Sequence, residues 1–468
     1  MLSYKNQQEK IEQIRSGKLS LTDNVLFFLK KIEDNKRLNA YNFVFEDCIE
    51  QTKAIEEKIK SGRCGKLAGM VIAIKDVLAI KDKPLTCSSN ILKNFISTYT
   101  ATAVQKLIDE DAVIIGKTNC DEFAMGSSNE NSAFGPVLNP IDTSRVPGGS
   151  SGGSAVAVAA GLCDVALGTD TGGSIRQPAA FCGVYGLKPT YGRVSRYGLT
   201  AFASSFDSIG PFANNLEDIS LVLSVIAGHD EKDSTSQNID VPEYSSLINT
   251  DKKFKIGLPK EYFKEGLDKD IRTAIESEII KLMNAGHEII DIDLPHNEYS
   301  IATYYILTTA EASSNLARFD GARYGYRSAQ SSDLLNMYEN SRSEGFGAEV
   351  KRRIMLGTYV LSAGYYDAYY RKAQRVRRLL KNDFDNAFEK VDVIVTPTTP
   401  TKPFKLGEKS NDPLAMYLED IYTTSVNLAG LPGINIPLVQ CAGELPIGMQ
   451  VITKQFDELK LLHFSSLI

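Results

Sequence analysis

The middle of the chain contains the stretch Pro147-Gly148-Gly149-Ser150-Ser151-Gly152-Gly153-Ser154, and further on Gly168-Thr169-Asp170-Thr171-Gly172-Gly173-Ser174-Ile175-Arg176-Gln177-Pro178. Glycine at this density lets backbone approach backbone, or a ligand, without a Cβ in the way. The Ala/Val-rich segment 155–165 between the two stretches is long enough for about three helical turns. Two serine-bearing turns joined by one small-residue helix can place both hydroxyls at one spot, beside backbone N–H groups suited to an oxyanion. The pattern predicts the active centre of a serine hydrolase.

A candidate base for such a serine lies at the end of a short apolar run. Residues 67–74 are rich in β-branched side chains, which is the pattern of a buried strand, and the run ends on Lys75. Two interpretations of this lysine are open. Its side chain reaches the surface or pairs with Asp76, or it is desolvated, has a lowered pKa and acts as a base.

Other chemistries for the glycine-rich stretches are disfavoured. Histidine is the usual base for a nucleophilic serine, but the histidines of the chain are distant from both turns in sequence and are expected to be structural: His229, His287, His296 and His463. A phosphate cradle is disfavoured because Gly-x-x-x-x-Gly-Lys-Ser/Thr is absent and no Gly-x-Gly-x-x-Gly joins a strand to a helix. Lysine therefore remains as the candidate base.

Composition and charge are those of an ordinary soluble globular protein, with 43% apolar and 24% charged residues. The length of 468 residues allows two or three domains or one large α/β domain. A net charge of −6 argues against this chain alone wrapping nucleic acid. The seven cysteines show no CxxC pairing and are expected to be reduced thiols. No signal peptide or membrane-spanning run is recognised, so we expect a cytoplasmic protein.

The periodicity of the chain predicts alternating strands and helices. Residues 4–62 are mainly helical in pattern and are expected to form an outer layer, and residues 300–390 are overwhelmingly helical. The segment 117–139 is too polar for a core and is expected to be a loop beside the site. Segment 181–210 is loop-rich. Further strands are predicted at 112–116, 254–258, 287–292, 391–397, 433–437 and 447–452. The pattern indicates an α/β fold with a mixed sheet.

Together these motifs resemble the amidase signature family. Lys75, the Gly-Gly-Ser-Ser-Gly-Gly-Ser run and residues 170–178 agree with the signature in residue type and in spacing. Three further segments resemble the glutamine-hydrolysing subunits of tRNA-dependent amidotransferases: 311–321, 351–358 and 416–423. The resemblance implies the amidase-signature fold, a central twisted mixed β-sheet covered by helices on both faces. It also implies one large domain, with residues 1–62 as its N-terminal helical layer and 63–468 as its catalytic part.

The resemblance implies a Ser–cis-Ser–Lys triad. Ser174 would attack the side-chain amide of glutamine, and Ser150 would relay the proton to neutral Lys75; Ser150 is chosen over Ser151 by the family pattern alone. The oxyanion would be held by three backbone N–H groups, those of Thr171, Gly172 and Gly173. The implied substrate contacts are Tyr304 lining the pocket, Arg353 on the α-carboxylate and Asp420 on the α-amino group. Arg353 and Asp420 each have a purely structural alternative, as part of a basic helical run and as a local cap or ion pair.

The resemblance also implies partners. Ammonia from glutamine would pass to a kinase/transamidase subunit that uses ATP and Mg²⁺ to convert Glu-tRNA(Gln) to Gln-tRNA(Gln), and a small third subunit would clasp the pair. No cofactor or metal is expected in this chain, and the tRNA would be contacted mainly through the partner. Two other interpretations stay open: a free-standing amidase of the same family acting on other small amides, and a non-catalytic scaffold or nucleotide-binding subunit.

Overall fold

The computed structural model of the chain describes residues 4–244, 252–263, 266–438 and 444–468. Its strands join in one sheet, in the order β1-β3-β2-β4-β6-β5-β10-β11-β9-β7-β8. In chain order they are β1 Tyr41–Val44, β2 Val71–Lys75, β3 Val113–Thr118, β4 Val165–Asp170, β5 Tyr185–Lys188, β6 Ser208–Ala213, β7 Lys255–Pro259, β8 Glu288–Ile292, β9 Val393–Pro397, β10 Gly433–Pro437 and β11 Gly448–Ile452.

Helices pack against both faces of this sheet. They are α1 Gln7–Arg15, α2 Leu21–Asp34, α3 Thr52–Lys60, α4 Thr102–Asp109, α5 Gly152–Ala159, α6 Arg176–Cys182, α7 Leu216–Ile226, α8 Lys269–Asn284, α9 Ser300–Asn315, α10 Leu334–Gly345, α11 Ala348–Leu361, α12 Lys372–Ala387, α13 Pro413–Tyr417, α14 Thr424–Leu428 and α15 Glu458–Ser465. Strand β2 shows why both faces are covered. Ile72 and Ile74 pack into one hydrophobic core, whereas Val71 and Ala73 pack into a second one. Since alternate strand residues point to opposite faces, both faces of β2 are buried.

The sheet is mixed, which confirms the predicted α/β class. Strands β3, β2 and β4 run parallel to one another, as do β9, β7 and β8. The strands between these two groups pair antiparallel. Strand β1 pairs antiparallel with β3 and brings part of the N-terminal layer into the sheet. The division into a layer 1–62 and a catalytic part 63–468 of one domain stays a prediction.

The pairing of β2 with β4 positions the site. These strands are parallel, with Ile72 opposite Val165 and Ile74 opposite Leu167. Their carboxyl ends therefore meet at the same edge of the sheet, where open α/β sheets bind ligands. Lys75 is the last residue of β2 and Asp170 is the last residue of β4.

Two regions differ from the sequence-based predictions of secondary structure. The helix expected over 155–165 ends at Ala159, because Gly161 turns the chain in the left-handed region (φ +63°) and the chain enters β4, a strand that the pattern does not predict. Segment 181–210 is loop-rich in pattern, yet it contains all of β5 and the start of β6. Both strands are short and rich in glycine or small residues, so their local pattern is weak.

The segment predicted to be too polar for a core is largely buried between residues 117 and 129. Many of its polar groups are hydrogen-bonded, which offsets the cost of burying them, although among the described residues Ser128 Oγ and Asn129 Nδ2 have no partner. The Asp121 carboxylate accepts the backbone N–H groups of Asn129 at 2.9 Å and Asn131 at 3.1 Å. No helix in the described residues is long and apolar enough to cross a membrane.

Candidate active site

Lys75 is fully buried at the end of β2, and its amine contacts three hydroxyl groups. Nζ lies 2.7 Å from Ser150 Oγ, 2.9 Å from Ser151 Oγ and 2.8 Å from Thr169 Oγ1. The alternative pairing with Asp76 does not occur, because that carboxylate contacts Lys117 Nζ at 3.2 Å instead. The amine is therefore held among hydroxyl oxygens.

This environment shifts the protonation equilibrium of Lys75 toward the neutral amine. Burial lowers the pKa of Lys75 to about 8, although buried acidic groups nearby oppose part of the shift. Desolvation penalises the charged form of an amine, and hydroxyl groups supply no counter-charge. A neutral lysine can accept a proton. With a pKa of about 8, about one-tenth of the amine is neutral at pH 7, against less than about one-thousandth for a lysine with the ordinary pKa of about 10.4.

The first serine turn leads directly into α5. Its peptide bond between Gly149 and Ser150 is cis. The turn is held by Gln177, whose Oε1 accepts the Gly149 N–H at 3.0 Å. The two serine turns are joined where Ser151 N–H donates to the carbonyl of Ser174 at 3.3 Å. The structure thus brings Lys75, Ser150 and the turn of Ser174 together at one edge of the sheet.

The second serine turn is organised around the buried carboxylate of Asp170. It accepts the N–H groups of Gly173 at 2.9 Å and Ile175 at 3.2 Å, and it forms a two-pronged ion pair with Arg176 at 3.0 Å on each arm. Burial alone would raise the pKa of Asp170, but the Arg176 guanidinium outweighs it and lowers the pKa to about 2. The turn that carries Ser174 is therefore fixed by a permanently charged pair.

Of the three predicted oxyanion donors, the N–H group of Gly173 is already engaged in a hydrogen bond. Its N–H donates to Asp170, so only a shared hydrogen bond would remain for an oxyanion. Within the described residues, the N–H groups of Thr171 and Gly172 have no acceptor. The Thr171 side chain is anchored away from the turn, donating to Asp207 at 2.7 Å. Thr171 and Gly172 are thus the free donors next to Ser174.

Two of the predicted substrate contacts lie against this turn. A methyl group placed on Gly172 would come within 2.6 Å of the hydroxyl oxygen of Tyr304, and one on Gly173 would lie 3.1 Å from Asp420 Oδ1. Asp420 Oδ2 accepts a hydrogen bond from Ser127 Oγ at 2.5 Å, while Oδ1 is buried and has no partner among the described residues. Burial raises the pKa of Asp420 to about 8. An unpartnered buried carboxylate oxygen suits a cationic ligand group.

The third predicted contact, Arg353, lies on α11 and is only 3% exposed. Its Nε donates to Glu349 Oε1 at 2.8 Å, one helical turn earlier. Arg353, Glu349 and Tyr417 line a cavity of about 150 Å³ together with Ser128 and Lys409. No direct bond joins Arg353 to Asp420 among the described residues.

Among the described residues, no hydrogen bond or ion pair joins a histidine to Lys75, Ser150 or Ser174. His296 pairs with Asp383 at 2.9 Å, and the His287 ring accepts the N–H of Phe254, both in the distant β7–β8 region. Across the described ranges, no group of three or more His, Cys, Asp and Glu side chains is placed to hold a metal ion.

Sequence reasoning misses several residues that touch the site. Thr169 contacts Lys75, and its position at the end of β4 would indicate this if that strand were recognisable from its pattern. The family pattern passes over Ser151, yet its Oγ also contacts Lys75 and accepts the Thr169 N–H at 3.2 Å. Ser127 binds Asp420 across 293 residues of sequence, a separation that no local pattern bridges.

Comparison with known proteins agrees with this geometry. The sequence profile named Amidase matches residues 23–462. The chain is 56% identical over 459 residues to a glutamyl-tRNA(Gln) amidotransferase subunit of Chlorobium limicola, covering 97% of each chain. The crystal structure of a glutamyl-tRNA(Gln) amidotransferase subunit from Thermotoga maritima matches with a TM-score of 0.78 and 39% identity, over 97% of this chain and 92% of that one. The native peptide amidase of Stenotrophomonas maltophilia matches with a TM-score of 0.81 and 28% identity, over 97% and 94%.

Proposed function

The chain belongs to the amidase family, and we propose that it is the glutamine-hydrolysing subunit of a tRNA-dependent amidotransferase. One observation carries the proposal: a buried, readily neutral lysine amine contacts Ser150 Oγ at 2.7 Å, beside the turn that holds Ser174. The high identity to amidotransferase subunits over 97% of the chain supports this assignment over others in the family.

We assign the chemistry to Ser174, Ser150 and Lys75. Ser174 Oγ attacks the amide carbon of glutamine, its proton passes to Ser150 Oγ, and the proton of Ser150 passes to neutral Lys75. The C–N bond then breaks, and the leaving nitrogen takes the proton back through Ser150 and departs as ammonia. Water attacks the remaining ester on Ser174 by the same proton route, which releases glutamate and restores the serine.

The oxyanion formed in each half-reaction is assigned to the N–H groups of Thr171 and Gly172. Gly173 can contribute only by sharing the N–H that it gives to Asp170. In other serine hydrolases one such donor is worth about 3–4 kcal/mol of transition-state stabilisation. The Asp170–Arg176 pair keeps these donors in place before substrate arrives, which avoids reorganisation during the reaction.

The substrate ends are assigned to Arg353 and Asp420. A guanidinium can form a fork with the α-carboxylate of glutamine, and the free Oδ1 of Asp420 can accept from the α-ammonium group. Tyr304 would line the space between them, against Gly172. Once Asp420 has lost its proton to receive the α-ammonium group, this pair of opposite charges favours an amino acid over an uncharged amide.

The remaining parts of the proposal concern partners. Ammonia would pass to a second subunit that uses ATP and Mg²⁺ to convert Glu-tRNA(Gln) to Gln-tRNA(Gln), with a small third subunit clasping the two. In this proposal the chain itself needs no cofactor, works in the cytoplasm, and meets tRNA mainly through its partner.

A free-standing amidase is the main rival, because the fold is shared with a peptide amidase. A diazoketone analogue of glutamine separates the alternatives. We expect one covalent adduct, on Ser174, found by peptide mass spectrometry of the complex, and none in Ser174→Ala. An adduct on another residue would refute the nucleophile. Hydrolysis of simple aryl amides faster than glutamine, indifferent to the partner subunits, would favour the rival.

A further inference from the structure

We propose that Glu349, assisted by Tyr417, is a positioning residue that aims the Arg353 guanidinium at the substrate carboxylate. The inference deepens the proposed function and rests on it, since it needs Arg353 to bind the α-carboxylate of glutamine. It assigns a role in substrate selection to two side chains that touch Arg353.

Hydrogen bonds fix one edge of the guanidinium. Arg353 Nε donates to Glu349 Oε1 at 2.8 Å, and the same oxygen accepts the Tyr417 hydroxyl at 3.1 Å. The second carboxylate oxygen of Glu349 accepts from Arg352 at the mouth of the cavity. Glu349 is therefore tied to three donors and has little freedom to rotate.

Three aromatic rings pack around the guanidinium of Arg353. The Arg353 Cζ atom lies 5.3 Å from the ring centre of Tyr305, 5.7 Å from that of Tyr417 and 5.6 Å from that of Phe202. Tyr305 and Tyr417 are themselves stacked, with their ring centres 3.7 Å apart. A planar cation enclosed by rings is held in orientation as well as in position.

This arrangement leaves the terminal nitrogens of Arg353 for a ligand. Nε is engaged by Glu349, and within the described residues Nη1 and Nη2 of Arg353 make no hydrogen bond. Arginine presents its donors in a rigid fork, so the Nε bond to Glu349 and the packing of the three rings together restrict where the remaining donors point. A carboxylate arriving at those two nitrogens meets a preset bidentate site.

The charge of Glu349 suggests an alternative role, in which it only neutralises Arg353, and the two roles predict opposite effects on glutamine binding. Burial would raise the pKa of Glu349, but Arg353 outweighs it, so that the pKa is lowered and the group is anionic at neutral pH. If Glu349 only neutralised Arg353, its removal would leave a buried cation in need of a counter-ion and would tighten glutamine binding. If Glu349 aims the guanidinium, its removal weakens glutamine binding.

The test compares KM and kcat for glutamine hydrolysis by the complete complex carrying Glu349→Gln. We expect KM to rise about tenfold or more with kcat changed less than about threefold, because only carboxylate recognition is disturbed. Asp367→Asn is the matched control, since it breaks an exposed ion pair of the same i,i+4 spacing, with Arg371 (3.2 Å), that involves no residue assigned to the site. Its KM should be unchanged.

A double-mutant cycle tests whether Glu349 acts through Arg353. Lysine lacks the Nε donor that Glu349 binds in Arg353. In the Arg353→Lys background, Glu349 therefore has no guanidinium to aim, and adding Glu349→Gln should raise KM by no more than about twofold. Tyr417→Phe deletes only a hydroxyl and should raise KM about threefold, which keeps the test available if Glu349→Gln does not fold.

Four outcomes would overturn the inference. For Glu349→Gln these are an unchanged or lower KM, or a loss of kcat and thermal stability without a change in KM. The third is a rise in KM that is as large when Glu349→Gln is added to Arg353→Lys as when it is made in the wild type. The fourth is an unchanged KM in Tyr417→Phe, if that variant alone folds. A wild-type complex that releases no ammonia from glutamine would instead refute the proposed function, and the inference with it.

Discussion

The pH dependence of glutamine hydrolysis should report the protonation of Lys75. With a pKa of about 8, the neutral fraction of this amine is about one-half at pH 8, about one-tenth at pH 7 and about one-hundredth at pH 6. Because only the neutral amine accepts the proton relayed by Ser150, kcat should rise about 50-fold from pH 6 to pH 8 and then level off. The sign follows from burial, which lowers the pKa of a base and so extends its active form to lower pH.

The ratio kcat/KM should rise more steeply than kcat. In the free enzyme Asp420 also has a pKa of about 8, and it must lose its proton to receive the α-ammonium group of glutamine. Two deprotonations near the same pH give log(kcat/KM) a slope approaching 2 below pH 8. In the enzyme–substrate complex the ammonium group holds Asp420 ionised, so log kcat keeps a slope of 1.

The assay is the initial rate of ammonia release by the assembled complex between pH 5.5 and 9.5. Lys75→Met keeps an apolar stem of similar length without the amine, and we expect it to fold and to lose activity by about 10³-fold or more. Asp420→Asn should keep the kcat profile while the slope of log(kcat/KM) falls to 1. A kcat that stays flat from pH 6 to pH 8, or substantial activity in Lys75→Met, would refute the role of Lys75 as base.

Two further substitutions probe the turn that carries Ser174. Gly172→Ala should lower kcat about 10- to 100-fold, because the added methyl would come within 2.6 Å of Tyr304 and displace an oxyanion donor. In the control Gly364→Ala the methyl meets no described atom within 4 Å, so its kcat should be unchanged. Steady-state kinetics measure both variants, and equal effects would contradict the assignment. Asp170→Asn should lower the free energy of unfolding by about 3–5 kcal/mol, because it leaves Arg176 buried with its charge unpaired. Urea denaturation measures this free energy, and a loss below about 1 kcal/mol would contradict the role given to the ion pair.

The lysine and the two serine turns of the site could be predicted from sequence, because their signals are local: the end of an apolar strand and the spacing of glycines. Lys75 follows a continuous apolar run. The serine turns are so rich in glycine that a close approach of backbone segments is the natural explanation. The choice between Ser150 and Ser151 could not be made from residue types, and the structure shows that both hydroxyls contact the amine.

Other features depend on distant packing and leave no local signal. Strand β4 follows α5 with the same small apolar residues, so the change from helix to strand is marked only by Gly161 and Asp164. The i,i+4 spacing of Glu349 and Arg353 is visible in the sequence, but the rings that enclose Arg353 come from three separate segments of the chain. Burial of segment 117–129 is accompanied by hydrogen bonds, within the segment and to distant residues, that polarity alone does not reveal.

The residues assigned to bond cleavage and those assigned to substrate selection come from different regions of the chain. Lys75, Ser150 and Ser174 all lie before residue 180, on and around β2 and β4, whereas the groups assigned to the ends of the substrate belong to the helical region beyond residue 300. Such modularity makes the later region the natural target for directed evolution toward new amides. Selectivity could then diverge while the hydrolytic apparatus is inherited intact.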